Sequence, residues 1–394
     1  MRAQLLAVGL LAGLLGAGVA LGVAAVSGGF GDAETVVMER SSGDTTAPDR
    51  GTTSARPLTG NGFDPAAIYA ARSTGVVTVY AEVPGRGRSQ GSGFVIDEEG
   101  TVLTSAHVIT SAGSSPDARG AESVVLELSD GERVGAEIVG WDLFSDTGVL
   151  RADELPSPVE PVPLGDSSAI AVGDPVAAIG SPFGNQGSLA VGVVSAVGRS
   201  LPALTTVYQL TDAIQIDAPI NRGNSGGPLF DARGRVIGIN AQIRSDTGLA
   251  EGVGFAVPIN TALRSLEQLE ESGQVAYAYV GIRTDDVTPG MSEQFDLGAS
   301  RGALVILVSP DSPGERAGLR GGSDSATYQG FRITVGGDLI TAIGGAKVEG
   351  APDVARILMD RYLPGDRVEF TVIRDGERMD VPVVLGERPE RPRD

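Results

Sequence analysis

Three side chains in this sequence have the types and the setting to act as one reactive unit. Ser225 lies in Gly223-Asn224-Ser225-Gly226-Gly227-Pro228, a hydroxyl flanked by glycines. Glycine admits backbone conformations that turn consecutive N–H groups inward, so such a turn can cradle an oxyanion. A hydroxyl is a weak nucleophile near neutral pH until a base takes its proton, and an imidazole, with an ordinary pKa of about 6.5, suits that task. The chain has a single histidine, His107, in Thr104-Ser105-Ala106-His107-Val108-Ile109, just past an apolar run. Its second ring N–H then needs an acceptor to fix the tautomer and stabilise the imidazolium. Asp146, between His107 and Ser225 and directly before a strand-like apolar run, fits that place. Asp142 is the competing carboxylate, with a turn acceptor as its plainer role.

The serine turn alone leaves the fold open. Gly223-Asn224-Ser225-Gly226-Gly227 also satisfies the G-x-S-x-G elbow of α/β-hydrolases, whose base follows the serine in the chain. The only histidine here precedes it, so the order is His, Asp, Ser, as in chymotrypsin.

The elements that must hold these residues are short and β-rich. The chain has 394 residues, too many for one compact core, with 57 glycines and only 5% aromatics. That balance suits many short strands and tight turns in two domains. Asp64-Pro65 followed by Ala-Ala-Ile-Tyr-Ala-Ala reads as a capped helical turn opening a domain over 64–259. Strand-like runs follow at Gly75–Glu82, Gly93–Asp97, Val102–Ser105, Val124–Leu128, Val176–Ile179, Val191–Val197 and Val236–Ile239. Over 260–276 the spacing becomes helical, with Ala262, Leu266 and Leu269 on one face and Gly273 as the stop, a connector between domains. A second, α+β module occupies 277–387, with strands at Ala303–Val308, Leu339–Ile343, Arg367–Ile373 and Met379–Leu385 and a helix over Pro352–Tyr362. Residues 388–394, with two prolines and alternating charges, read as a disordered tail.

Taken together, the motifs resemble those of the HtrA (DegP/DegQ/DegS) family of trypsin-like serine proteases. Gly91-Ser92-Gly93-Phe94-Val95-Ile96-Asp97, Thr104 to Val108, Ser145-Asp146, Ile214 to Asn221 leading into the Ser225 turn, and Gly254-Phe255-Ala256-Val257-Pro258 fall in that family's order. The resemblance implies a mainly β protease domain of two six-stranded barrels with the site between them. It makes His107, Asp146 and Ser225 a catalytic triad and Gly223, Asn224 and Ser225 the oxyanion-hole segment. It also places the base of the primary specificity pocket at Pro219 and Ile220, where no carboxylate awaits a basic side chain, so small aliphatic residues are expected. Thr147-Gly148 departs from the family's aliphatic residue and alanine, which predicts slightly looser packing behind Asp146. The second module resembles a single PDZ domain, with Tyr279-Val280-Gly281-Ile282 as its carboxylate-binding loop. Its stretch Gly321–Gly336 is longer than the family's usual link.

On this resemblance the expected activity is ATP-independent endopeptidase action on exported, misfolded or signalling proteins, in protein quality control or stress response. The PDZ domain would bind proteins and peptides with hydrophobic C-termini, and the assembly would be a homotrimer. The competing expectation is a proteolytically latent PDZ scaffold or chaperone. No G-x-x-x-x-G-K-[ST] phosphate loop occurs, and no cofactor or metal is expected. With no cysteine, disulfides and thiolate chemistry are excluded, and the net charge of −20 argues against nucleic-acid partners. At the amino terminus nothing charged lies between Arg2 and Asp32. Leu5 to Val26 as a helix would span roughly 33 Å against a hydrocarbon core of about 30 Å. A membrane signal anchor over 1–27 followed by a flexible linker over 28–63 is therefore favoured, with both domains extracytoplasmic. Ala20-Leu21-Gly22 and Ala25-Val26-Ser27 keep cleavage, and a secreted or periplasmic product, open.

Overall fold

The computed structural model describes residues 62–389 apart from 113–117, 157–158, 182–186, 207, 222 and 242–251. The Leu5–Val26 segment, most of the linker and residues 390–394 lie outside the described residues. Among the described residues no helix is long and apolar enough to cross a membrane.

The first domain opens with the helix Pro65–Arg72, capped as its sequence predicts by Asp64, whose carboxylate accepts from Ala67 N at 3.0 Å. Two closed six-stranded barrels follow. The first contains β1 (Val76–Val83), β2 (Gly87–Val95), β3 (Thr101–Ser105), β4 (Ser123–Glu127), β5 (Arg133–Asp142) and β6 (Thr147–Ala152), in the order β1-β2-β3-β6-β5-β4. The second contains β7 (Pro175–Gly180), β8 (Ser188–Pro202), β9 (Gln209–Ile216), β10 (Pro228–Phe230), β11 (Val236–Ala241) and β12 (Gly254–Pro258), in the order β10-β11-β12-β9-β8-β7. Each barrel has its own interior, built around Val79, Leu126 and Leu150 in the first and Ile214, Ile216 and Leu229 in the second. A larger core joins them: Phe94, Leu103 and Val149 of the first barrel pack with Ile179, Ile239 and Val257 of the second. Each such side chain, removed from water, contributes about 1.5–3 kcal/mol. That shared core fixes the floor of the cleft in which the site lies.

The connecting helix Ile259–Ser272 ends as expected at Gly273, in left-handed conformation at φ 73, with its N–H on Leu269 O. It is not a free spacer. Ala262 and Leu269 enter the core between the barrels, and Gly140 of β5 allows Leu269 its approach, since a Cβ there would lie 2.7 Å from Leu269 Cδ2.

The second domain contains β13 (Ala278–Tyr279), β14 (Ile282–Val287), β15 (Gly302–Val308), β16 (Asp324–Tyr328), β17 (Phe331–Val335), β18 (Leu339–Ile343), β19 (Ala346–Lys347), β20 (Arg367–Arg374), β21 (Glu377–Val384) and β22 (Gly386–Glu387). Its main sheet runs β14-β15-β18-β20-β21, with β19 on β18, while β13 pairs with β22. The helix Ala351–Arg361 buries Val354, Ile357 and Leu358 against the sheet, the i, i+3, i+4 stripe of an amphipathic helix. The long Gly321–Gly336 stretch is a hairpin, β16–β17, turning at Gln329 (φ 48) and Gly330 (φ 85), the two-residue geometry that matches strand twist.

Two expectations are corrected here. Arg388 does not belong to a disordered tail: its N–H donates to Tyr277 O at 2.9 Å and its guanidinium lies 4.2 Å from the Tyr208 ring centroid. The Gly148 site is also not loosely packed, because Ile109 fills the space and its Cδ1 would stand 2.8 Å from an added Cβ.

Candidate active site

His107 sits on the one-turn helix Ala106–Ile109 that directly follows β3. Its ring Nδ1 lies 2.7 Å from Asp146 Oδ2, and its backbone N–H donates to Asp146 Oδ1 at 2.9 Å, so both carboxylate oxygens face one residue. Asp146 closes the turn between β5 and β6 in left-handed conformation, φ 58, and its carbonyl accepts from Ala106 N at 3.0 Å. A non-glycine residue at positive φ is uncommon and concentrates at functional positions. Both residues are almost wholly buried, at 7% and 4% exposure. From the other side Arg86, in the β1–β2 turn, donates to His107 O at 2.6 Å. Asp142, the rival carboxylate, faces away from the imidazole and accepts from Ser145, Ser265 and Tyr277 instead.

Ser225 comes from the second barrel, on the loop before β10, and that loop is pressed onto the strand and helix that carry His107. Ser92 N donates to Ser225 O at 2.8 Å, and a Cβ on Gly226 (φ 85) would lie 2.9 Å from Ser105 N. Gly91 matters for the same reason, since its Cβ would meet Val108 at 2.5 Å and Ser225 O at 3.0 Å. The Ser225 hydroxyl is buried and, among the described residues, has no hydrogen-bond partner, so the His107–Asp146 pair is formed and the link to Ser225 is open.

The loop's amides divide clearly. Asn224 N donates to Asn221 O at 3.0 Å, closing a turn, and Gly226 N donates to Asn240 O at 2.8 Å. The N–H groups of Gly223 (φ 103) and Ser225 make no backbone hydrogen bond among the described residues. The segment therefore offers two free donors, and Asn224, counted with them from sequence, shapes the turn instead. Sequence reasoning also passed over Ser92, whose Oγ donates to Gly223 O at 2.6 Å and accepts from Ser181 N at 2.9 Å. Its signal was its own pair of flanking glycines, Gly91 and Gly93.

Of the expected specificity residues, Ile220 is buried with Ile216 and Ala218 and abuts Gly254 of β12, while Pro219 beside it is exposed. The neighbouring carboxylate, Asp217, is exposed, with its Oδ1 accepting from Val193 N at 2.6 Å.

A trypsin-like peptidase domain matches residues 91–239 and a PDZ domain matches residues 278–385. The chain is 38% identical over 305 residues to a probable periplasmic serine endoprotease, DegP-like, of Halomonas elongata, covering 77% of this chain and 57% of that relative. It is 38% identical over 309 residues to Protease Do-like 1, chloroplastic, of Arabidopsis thaliana, covering 78% and 65%. It thus spans about three fifths of the length of these curated relatives. The solved HtrA-type protease AlgW with tripeptide aligns at TM-score 0.67 and 32% identity over 83% of this chain and 98% of that one. The chain belongs to the HtrA-type serine proteases.

In this HtrA-type chain the loop expected to bind carboxylates lies between β13 and β14. Val280 and Gly281 link β13 to β14, Gly281 at φ 78, and their carbonyls accept from Gly314 N at 2.7 Å and Ser309 N at 2.8 Å. β14 is an edge strand, paired among the described residues only with β15, and the helix Ala351–Arg361 flanks it. Asp286 near the end of β14 accepts from Ala351 N at 2.7 Å and fixes that helix beside the edge. An unpaired strand edge next to a helix is the geometry to which an extended peptide adds a strand.

Proposed function

We propose that this chain is an ATP-independent serine endopeptidase acting on exported proteins, with His107, Asp146 and Ser225 as its triad. The observation that carries the reading is the buried His107–Asp146 pair, with both carboxylate oxygens on His107, set against the glycine loop of Ser225. Ser225 Oγ attacks the scissile carbonyl while His107 Nε2 takes its proton. Asp146 holds Nδ1–H and so leaves Nε2 as the base. The N–H groups of Gly223 and Ser225 hold the oxygen that becomes negative, each donor worth about 10²–10³ in rate. His107 then gives the proton to the leaving amine, and water repeats the steps in reverse roles to release the acyl group.

The primary pocket beside Pro219 and Ile220 takes a small aliphatic residue, because neither residue offers a carboxylate to a basic side chain. A peptide library cleaved preferentially after Lys or Arg would refute that. The loop Tyr279-Val280-Gly281-Ile282 captures hydrophobic C-termini for recruitment or activation. Export follows from the apolar amino-terminal stretch, which acts as a membrane tether, or as a signal peptide if it is cut; a trimeric assembly follows from the family. The unpartnered Ser225 hydroxyl is the one observation on the side of a latent scaffold. Catalytic hydrogen bonds commonly tighten only with substrate, so the enzyme reading is the stronger.

Covalent labelling of Ser225 by a fluorophosphonate probe, with Ser225→Ala as control, tests the proposal, together with casein digestion with and without a hydrophobic C-terminal peptide. Labelling lost in the control and casein cleaved in either condition is expected. No labelling under any condition would establish the scaffold reading.

A further inference from the structure

Asp142 is a buried carboxylate that the triad does not use. It is 2% exposed, yet among the described residues every donor to it is a neutral group. Its Oδ1 accepts from Phe144 N at 2.9 Å, and its Oδ2 accepts from Ser145 Oγ at 2.5 Å, from Ser265 Oγ at 2.7 Å and from Tyr277 OH. Ser265 lies on the connecting helix and Tyr277 directly precedes β13, so the carboxylate ties three parts of the chain to one point. Burial, and then the Asp142 charge beside it, push the Tyr277 phenol well above its ordinary pKa, which keeps it a donor.

The residues between Asp142 and Asp146 are fastened just as closely from outside the first barrel. Leu143 O accepts from Thr205 Oγ1 at 2.6 Å. Phe144 meets Tyr277 edge-on, ring centroids 5.2 Å apart, and Tyr208 at 5.5 Å. The Arg388 guanidinium lies over both Phe144 and Tyr208, 5.0 and 4.2 Å from their centroids, and Arg388 N holds Tyr277 O. Ser145, whose hydroxyl also reaches Thr147 Oγ1 at 2.9 Å, completes the turn. The next residue is Asp146 itself, at positive φ. A left-handed non-glycine residue persists only where its surroundings over-determine it.

We infer that Asp142 is a positioning residue for the reaction, and that Tyr277 and Arg388, which bracket the PDZ domain at its two chain ends, close a clamp on the turn that delivers Asp146 to His107. The clamp rests on the triad reading for its catalytic consequence, but its effect on the His107–Asp146 pair is independent of turnover. That separates the two in experiment.

Asp142→Asn disturbs a fully buried network and endangers the fold, so the decisive variants are Tyr277→Phe, which deletes one oxygen, and Arg388→Gln, each in the full chain. The single histidine makes the His107 ring resonances unambiguous by NMR, and they are followed against pH in a Ser225→Ala background. Each variant is expected to move the His107 ring resonances, that of the Nδ1–H held by Asp146 above all, away from those of the parent. In active protein kcat on a short aliphatic-P1 peptide is expected to fall by about 10-fold to 100-fold with KM within a factor of about 2. Affinity of the PDZ domain for a hydrophobic C-terminal peptide stays unchanged, which controls for folding. Unchanged His107 ring resonances in both folded variants overturn the clamp. Full activity of Asp146→Asn, by contrast, overturns the triad reading and leaves the NMR result standing.

Discussion

Ser92 Oγ, on β2 of the first barrel, donates to Gly223 O, in the Ser225 loop of the second, at 2.6 Å. The same oxygen accepts from Ser181 N just past β7, and Ser92 N donates to Ser225 O. One wholly buried serine therefore sets two peptide planes of the loop, Gly223–Asn224 and Ser225–Gly226, and it does so from the barrel that carries His107.

Ser92→Ala removes the partner that the buried Gly223 carbonyl and Ser181 N–H have among the described residues. Each orphaned group costs about 1–3 kcal/mol. The larger effect is on geometry, since the Gly223 carbonyl shares a rigid peptide plane with the Asn224 N–H, and releasing it loosens the turn between the Gly223 and Ser225 N–H groups. A fall in kcat of about 10-fold or more on a peptide substrate is expected, with a lowered melting temperature. Lowered stability with unchanged kcat would reduce Ser92 to a structural pin.

Gly226→Ala is expected to be more severe. The residue is at φ 85, and an added Cβ would stand 2.3 Å from Ser92 O and 2.5 Å from Thr104 Oγ1. Backbone on one side and a hydrogen-bonded threonine on the other leave nothing that yields easily. The loop must move, taking Ser225 with it. Fluorophosphonate labelling is expected to disappear while the second barrel, judged by amide exchange in β11 and β12, still folds.

What the sequence disclosed and what it withheld follow from where the relevant partners lie. The Ser225 turn and His107 were legible because glycines flank the one and the other has no rival in the chain. Asp142 was legible only in part: its turn-acceptor role is real at Oδ1, but the donors to Oδ2 from Ser265 and Tyr277 lie far along the chain and leave no local pattern. Arg388 was misread for the same reason. Prolines and charges around it look like a tail, whereas its aromatic partners are Phe144 and Tyr208. The hairpin β16–β17 escaped because Gln329-Gly330 is a weaker turn signal than Asn-Gly or Asp-Gly.

In the PDZ domain, Arg374 and Asp338 form the ion pair that orders the base of the hairpin. Asp338 is wholly buried, and Arg374 reaches its two oxygens with Nε and Nη2 at 2.7 Å each, while Arg320 N adds a third donor at 2.9 Å. Removing one partner strands a buried charge, at about 3–5 kcal/mol. Arg374→Ala is therefore expected to abolish C-terminal peptide binding and amide protection in β20 and β21 at temperatures where the barrels remain folded. Retained peptide affinity would show that the pair is dispensable.

Where the PDZ domain meets the protease domain, stability should depend on pH through Asp212. Its carboxyl is pushed up to about 6, first by burial and then by the charge of Asp360 on the facing helix, with Arg356 and Arg264 acting in the opposite sense. Arg264 also donates to Met359 O and pairs with Asp360 at 3.0 Å, and Thr211 Oγ1 approaches Met359 Sδ at 3.0 Å, so Asp212 lies within the contact itself. An aspartate in the unfolded chain titrates near about 3.9, so between that value and about 6 the folded protein holds a proton that the unfolded chain has lost. Stability from this group is thus present at the acid end and is lost as pH rises to about 6. Asp212→Asn removes the loss, and asparagine accepts the left-handed φ of 62 found there. The variant is expected to gain thermal stability relative to the parent at about pH 7.5 over any gain at about pH 4.5. Equal shifts at the two pH values would show that Asp212 is not titrating in this contact.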